Sequence, residues 1–167
     1  WRHDVSGAAG VMINKKCQQP DFKHICNEGL VHRLPKVNHP VYYGGPILTN
    51  VVGVLHSTDF ILTSTNTLTE DKVGFTLDRK MLEVIAKGQG PKNMLITLGM
   101  ANWTTGQLEE ELEHPRSPAM SWLIMDYDEK FVFGQLDDDK PDDLWESCVS
   151  QAIRNKTKEI TGKIFKS

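Results

Sequence analysis

The chain has 167 residues, of which 39% are hydrophobic and 25% are charged, a balance typical of a globular protein rather than a disordered one. A domain of this length buries roughly two thirds of its unfolded surface, so its folding requires neither a disulfide framework nor a metal. No apolar run approaches the ~20 residues of a membrane-spanning helix, and three cysteines without a CxxC motif favour a reducing compartment, so we expect a cytoplasmic protein without a membrane partner.

Charge is unevenly distributed along the chain. The net charge is -3, yet residues 109–146 carry thirteen acidic side chains against three basic ones, whereas residues 154–167 carry five basic side chains against one acidic one. The acidic third argues against nucleic acid on that surface, because phosphates require basic side chains. We therefore expect one domain over residues 1–153, followed by a basic tail.

β-prone segments dominate the first half of the chain. Residues 11–13 predict a strand entered through the small residues 7–10, and residues 21–33 predict a short helix that ends at Gly29 or before Pro35. Branched and aromatic residues predict four further strands, over residues 41–43, 51–56, 60–65 and 72–76.

A helix and a buried strand come next. Asp78 is a typical N-cap residue and Gly88 a typical C-terminal stop. Apolar residues at helical spacing predict an inward face between them, made of Met81, Leu82, Ile85 and Ala86. Residues 93–100 are mostly apolar and predict a buried strand.

The segment that follows has the features of a helix start. Thr104 and Gln107 have the spacing of a capping box, and Trp103 and Leu108 that of a hydrophobic staple, so we expect a helix over residues 105–114. Gly106 then falls in the first turn, where its missing side chain would leave backbone N–H groups open to an anion.

The last third predicts a hairpin, an acidic linker and a helix. Residues 121–125 and 131–134 are expected to pair as strands around a polar turn, and residues 137–143 form the linker. An amphipathic helix over residues 141–153 follows. Its inward face is predicted to contain Leu144, Trp145, Cys148, Val149, Ala152 and Ile153.

Six segments, taken in order and spacing, carry a resemblance to a known family. They are residues 7–15, 43–46 (Tyr-Gly-Gly-Pro), 53–56 (Gly-Val-Leu-His), 98–112 (LGMANWTTGQLEEEL), 121–123 and 144–145. Together they make the chain similar to the AlgH/YqgE family over nearly its whole length. The family usually has a further strand and helix before the position of Trp1, a shorter loop than residues 114–120, and a different ending after Ile153.

The resemblance implies an α+β fold in which a mixed, bifurcated sheet curls into an incomplete barrel with flanking helices. Members of the family are labelled transcriptional regulators, without an agreed mechanism or a recognised DNA-binding motif. The label implies a regulatory role and no particular chemistry.

Within the matching segments, eight residues are candidate ligand-binding positions. Adjacent glycines let a ligand approach the backbone, and the polar groups at a strand end or a helix start can orient it. At each position the structural alternative is a turn, a core histidine, a helix cap or a solvated surface. The eight are Asn14, Gly44, Gly45, Pro46, His56, Asn102, Gly106 and Glu110.

No catalytic residue, metal site or cofactor is predicted. The chain has neither a GxSxG nucleophile elbow nor an HExxH zinc motif, and its double glycine lacks the Lys and Ser/Thr of a phosphate-binding loop. Cys148 is expected to be an ordinary buried thiol. The other cysteines and nearby histidines match no standard zinc spacing, namely Cys17, His24, Cys26, His32 and His39.

Three hypotheses for function remain open. The first is a non-enzymatic protein that binds a protein or small-molecule partner, with a regulatory role. The second is a nucleic-acid-associated regulator that uses the lysines at 15–16 and the basic tail, with binding that weakens steeply as salt rises. The third is a hydrolase or transferase, which requires His56, Asn102 and the Gly44-Gly45 loop to converge on one pocket.

Overall fold

The computed structural model describes residues 2–27, 31, 34–115, 122–134 and 145–154. The chain divides into two compact units, Trp1–Leu108 and Glu109–Ser167. The first unit is built on a sheet, whereas the described part of the second is helical and irregular. Within these described residues, no helix has the length and apolarity needed to cross a membrane.

The described residues of the first unit include seven strands, and these form one sheet. They are β1 (Arg2–Asp4), β2 (Gly7–Gly10), β3 (Val41–Tyr43), β4 (Ile47–Ser57), β5 (Asn66–Leu68), β6 (Val73–Thr76) and β7 (Met94–Trp103). Their order is β1-β2-β7-β4-β6-β5, with β3 also paired to β7. Neighbouring strands are antiparallel except β3 and β7, which are parallel.

The sheet divides at β7. On one edge of β7, β4 pairs antiparallel along most of its length, with Leu55 opposite Leu95. The other edge is shared, because β3 pairs with residues 96–98 and β2 pairs with residues 101–103. The α+β fold with a mixed, bifurcated sheet is therefore confirmed, and the sheet curls into a half-barrel.

Helix α2 (Arg79–Ala86) covers the sheet and closes the core. The Asp78 side chain accepts a hydrogen bond from the Lys80 N–H at 2.9 Å, which confirms the predicted N-cap. The four residues of the predicted inward face are all buried. They pack in one apolar cluster with Phe22 and Ile25 of α1 (Phe22–Ile25) and with Val54 and Ile96 of the central strands.

Two predicted strands of the first unit are wrong. Residues 11–13 are irregular, and the small residues 7–10 form β2 instead, because Gly7 lies so close to the backbone of Trp103 that a side chain would collide with it. Residues 60–65 form a turn, because the Leu62 N–H donates to the Thr65 hydroxyl at 2.9 Å and the Thr65 N–H donates to the Leu62 carbonyl. Local bonds of this kind compete with a strand ladder.

The predicted helix over residues 21–33 begins where expected and is shorter. The Asp21 side chain caps α1 by accepting the His24 N–H at 2.9 Å, and α1 gives way to a wider turn at residues 26–27. The proposed stop at Gly29 lies outside the described residues.

The predicted hairpin of the second unit is wrong. Residues 122–128 have no regular structure, and residues 131–134 belong largely to helix α4 (Glu129–Phe133). The reason is Asp128, whose side chain accepts the Lys130 N–H at 2.8 Å and caps a helix where the pattern suggested a strand. Ser121 and the predicted linker over residues 137–143 lie outside the described residues.

The predicted last helix is present over residues 145–154, although its inward face is narrower than expected. Cys148, Val149 and Ala152 are half-buried, whereas Trp145 and Ile153 are exposed. The assignments of Trp145 and Ile153 to the interior are wrong, because only a narrow arc of the helix surface is shielded from solvent. Leu144 lies outside the described residues.

Candidate functional site

The double glycine of the first unit lies where the sheet divides. A side chain on Gly44 would collide with the carbonyl of Gly99 in β7, and a side chain on Gly45 would collide with the backbone of Met100. Gly99 itself has a φ of +76° and faces the Gly45 carbonyl. Backbone from β7 thus occupies the space that the two glycines leave open, which explains both residues without a ligand.

Asn14 is brought beside this loop by a short ladder. The Met12 N–H donates to the Gly44 carbonyl at 2.8 Å, and the Tyr43 N–H donates to the Lys15 carbonyl at 2.7 Å. Asn14 lies between these two contacts, and its side chain is exposed, as is Pro46 at the end of the loop. Of the eight candidates, Asn14, the two glycines and Pro46 therefore share one region.

His56 belongs to a buried hydrogen-bonded chain. Its Nδ1 lies 2.9 Å from the Ser57 carbonyl, and because a carbonyl can only accept, Nδ1 carries the hydrogen. Nε2 then accepts from the Thr76 hydroxyl at 2.9 Å. The Thr65 hydroxyl donates to Thr76 at 2.8 Å and accepts the Leu62 N–H, so every member of the chain has a partner.

Burial also fixes the charge of His56. The ring is fully buried, and desolvation lowers the pKa of His56, against smaller opposing effects of the Ser57 carbonyl and the Asp59 carboxylate. The ring is therefore neutral at pH 7. Its surroundings are full, since a side chain on Gly74 would collide with the ring. The arrangement is that of a core histidine that joins β4 to β6.

His56 lies on β4 beside the start of β7, whereas Asn102 lies near the end of β7. His56 is opposite Met94 at the start of that strand, and Asn102 is opposite Ala9 near its end. Eight residues of β7 separate these positions, which corresponds to at most about 26 Å along the strand. The pocket that the hydrolase hypothesis requires is not formed by these two residues.

The helix start after β7 is only partly as predicted. The Thr104 N–H donates to the Gln107 side chain at 3.0 Å, which is one half of the predicted capping box. Helix α3 (Gln107–Glu113) begins after Gly106, which has a φ of +75° and open space where a side chain would lie. The placement of Gly106 in the first helical turn is wrong, because the left-handed turn precedes the helix.

Two further candidates, both within residues 98–112, lie on open surface. Asn102 is exposed on β7, and Glu110 is exposed on α3, in the part of that helix that belongs to the second unit. Cap contacts and positive φ explain several neighbours of these two residues. Neither Asn102 nor Glu110 has such an explanation.

Those cysteines and histidines of the first unit that the structure describes form no candidate metal centre. His24 Nδ1 lies 2.6 Å from the Asp21 carboxylate, which also binds Asn38, and burial raises the pKa of the Cys17 and Cys26 thiols. Within the ranges that the structure describes, no three His, Cys, Asp or Glu side chains are grouped to hold a metal ion. His32 lies outside those ranges.

The sequence patterns missed the exposed apolar side chains of the second unit. Ile124 is 78% exposed and Trp145 is 58% exposed, although both were expected in paired strands or an inward helix face. The others are Trp122, Leu123 and Ile153. In the same unit, α4 and the last helix form an open groove lined by Phe131, Glu146, Ser147, Ser150 and Arg154. In the sequence, only the acidic residues near these apolar side chains could have indicated that they are exposed.

Comparison with known proteins gives consistent results at the level of sequence. A family model described as AlgH-like matches residues 1–155. A UPF0301 protein from Bradyrhizobium sp. is 34% identical over 148 residues, which are 84% of this chain and 66% of that protein. A UPF0301 protein from Rickettsia akari is 34% identical over 152 residues, which are 88% of this chain and 72% of that protein. The chain thus spans slightly less than two thirds of the Bradyrhizobium relative.

Two solved structures share the fold. The solution structure of the AlgH protein from Pseudomonas aeruginosa has a TM-score of 0.70 and 27% identity, over 95% of this chain and 79% of that one. A crystal structure from Corynebacterium diphtheriae shares the fold, with a TM-score of 0.56 and 18% identity over 80% of this chain and 66% of that one. Because the family model matches residues 1–155 and relatives are more than 30% identical, the chain belongs to the AlgH-like family.

Proposed function

We propose that this protein is a non-enzymatic binding protein with a regulatory role, and that the second unit carries its binding surface. The observation that carries the proposal is the exposure of large apolar side chains there, above all Ile124 and Trp145. Single exposed apolar residues are common on protein surfaces, but three consecutive ones at 122–124 and a tryptophan beside a groove are typical of interaction surfaces.

The chemistry of the first unit supports binding over catalysis. Both ring nitrogens of His56 are engaged inside the core, and the double glycine is filled by the protein's own backbone. Two of the three groups that the hydrolase hypothesis requires, His56 and the double glycine, are therefore committed to the fold.

Quantitative affinity capture from the native cell tests the proposal. The bait is the full chain, compared with a variant that combines Ile124→Ser and Trp145→Ser. A second variant, Leu34→Ser with Ile61→Ser, removes two comparably exposed apolar side chains from the first unit and serves as the matched control. We expect captured partners to be lost from the first variant and retained by the second.

Two results would overturn the proposal. One is capture of the same partners, in equal amounts, by both variants. The other is robust turnover in a metabolite screen that disappears in His56→Gln or Asn102→Ala, because it would show that the protein is an enzyme.

A further inference from the structure

The described residues of the second unit are strongly acidic. They carry eight carboxylates against two basic side chains, Lys130 and Arg154. The carboxylates belong to Glu109, Glu110, Glu111, Glu113, Asp126, Asp128, Glu129 and Glu146. A field of this sign repels acidic partners and nucleic acid and speeds the approach of basic ones.

Apolar surface lies next to these charges. Ile124 is two residues from Asp126, and Trp145 directly precedes Glu146. At the other end of the last helix, Ile153 directly precedes Arg154 and is 60% exposed. Each charged end of the groove therefore has an exposed apolar neighbour.

The groove between α4 and the last helix has a negative and a positive end. Phe131 contributes apolar surface, and Glu146 and Arg154 stand eight residues apart on one helix, about 12 Å along its axis. The hydroxyls of Ser147 and Ser150 lie between them along the chain and can bond polar groups. One end of the groove thus favours a cation, and the other end favours an anion or a carbonyl oxygen.

We infer that the second unit binds a partner polypeptide segment that is basic and amphipathic. The apolar side of that segment packs on Phe131, Trp145 and Ile153, and its basic side chains lie toward Glu146. The inference rests on the proposed function and adds the chemistry of the partner. Charge complementarity selects this occupant over an acidic segment.

Two model peptides of equal length test the inference. One places Lys and Leu at amphipathic helical spacing, and the other replaces every Lys by Glu. Fluorescence titration of the full chain should show binding of the Lys peptide alone, and the affinity should fall as salt rises from low to physiological concentration, because exposed charges are screened.

Substitutions locate the site. Trp145→Ser should weaken binding of the Lys peptide about tenfold or more, as expected for a central tryptophan, whereas Ile61→Ser in the first unit should leave it unchanged. Glu146→Lys should weaken binding more than Glu70→Lys, which makes the same change of net charge on the surface of the first unit. Arg154→Glu should strengthen it.

Several results would overturn the inference. They are equal binding of both peptides, no binding of either, equal effects of the paired substitutions, and concentration-dependent self-association in light scattering that Trp145→Ser abolishes. Binding of anionic lipid vesicles through the same residues would also overturn it, because the partner would then be a membrane surface and not a polypeptide. If capture depends on Trp145 while the Lys peptide does not bind, the proposed function stands and the partner's chemistry is wrong.

Discussion

The two units of the chain treat their distinctive side chains in opposite ways. In the first unit, polar groups inside the sheet are paired: His56, Thr76 and Thr65 form one hydrogen-bonded chain, and Gly44, Gly45 and Gly99 leave only enough room for backbone. In the described part of the second unit, aromatic and aliphatic side chains are exposed beside carboxylates. The buried polar groups and crowded glycines of the first unit thus serve folding, whereas the large apolar side chains at 122–124, 145 and 153 of the second unit lie exposed to solvent.

The largest expected effect concerns the point where the sheet divides at β7. Gly99→Ala should lower the free energy of unfolding by about 3 kcal/mol or more, because it combines a positive φ with a collision against the Gly45 carbonyl. Gly106→Ala is the matched control, since it also has a positive φ but open space, and it should cost only about 1 kcal/mol. Urea denaturation of both variants measures the difference. Equal losses of unfolding free energy in the two variants would mean that backbone crowding where the sheet divides is unimportant.

The next effect concerns the buried histidine. His56→Leu should destabilise by about 2 kcal/mol, because the Thr76 hydroxyl loses its acceptor inside the core. The wild type should also lose stability as pH falls below 6.5, since the unfolded chain takes up a proton at His56 that the folded chain, with its lowered pKa, resists.

His39 has a pKa lowered by burial as well and contributes to the same slope. The slope should therefore become shallower, without vanishing, in His56→Leu. Chemical denaturation at several pH values between 5 and 8 provides the measurement. An unchanged slope would contradict a neutral, buried His56.

A smaller effect, of opposite sign, lies in the turn between β5 and β6. Thr69, Glu70 and Asp71 all have positive φ, and Thr69 is β-branched, so its conformation is strained. Thr69→Gly should raise the melting temperature, with a gain in stability of about 1 kcal/mol. A loss of stability would show that side-chain contacts outweigh the strain.

The smallest effect is expected on the exposed surface of the second unit. Trp145→Ser should change the free energy of unfolding by about 0.5 kcal/mol or less, because the side chain is largely exposed. Thermal unfolding followed by circular dichroism tests this. A large destabilisation would mean that Trp145 supports the fold, and the contrast between the two units would fail.

The sequence predicted the elements whose periodicity is strong and failed where local bonds decide. The central strands and α2 were predictable because apolar residues recur over many positions, and Asp78 marked the helix start. The turn at Thr65 and the cap at Asp128 depend on single side-chain bonds, which a strand-like pattern conceals. The divided sheet was available only through resemblance, since pairing between residues 7–10 and 101–103 leaves no local signal.

The candidate site was less predictable than the fold. Double glycine and a strand-end histidine have the same appearance in a ligand pocket and in a crowded core, and only the position of Gly99 and Thr76 distinguishes the two. Exposure of Trp145 was missed because amphipathic spacing indicates which side of a helix is apolar, but not how wide an arc its neighbours cover.

The shared edge of β7 also has a consequence for the order of folding. β2 and β3 lie early in the chain, but both need β7, and the pairing of Ala8 with Trp103 spans most of the first unit. Contacts between residues so distant in sequence form slowly, because the long intervening chain must close first. During synthesis, β2 can pair only with β1, and β3 lacks its partner in the sheet, until β7 leaves the ribosome. This unit therefore completes its sheet only with its last strand.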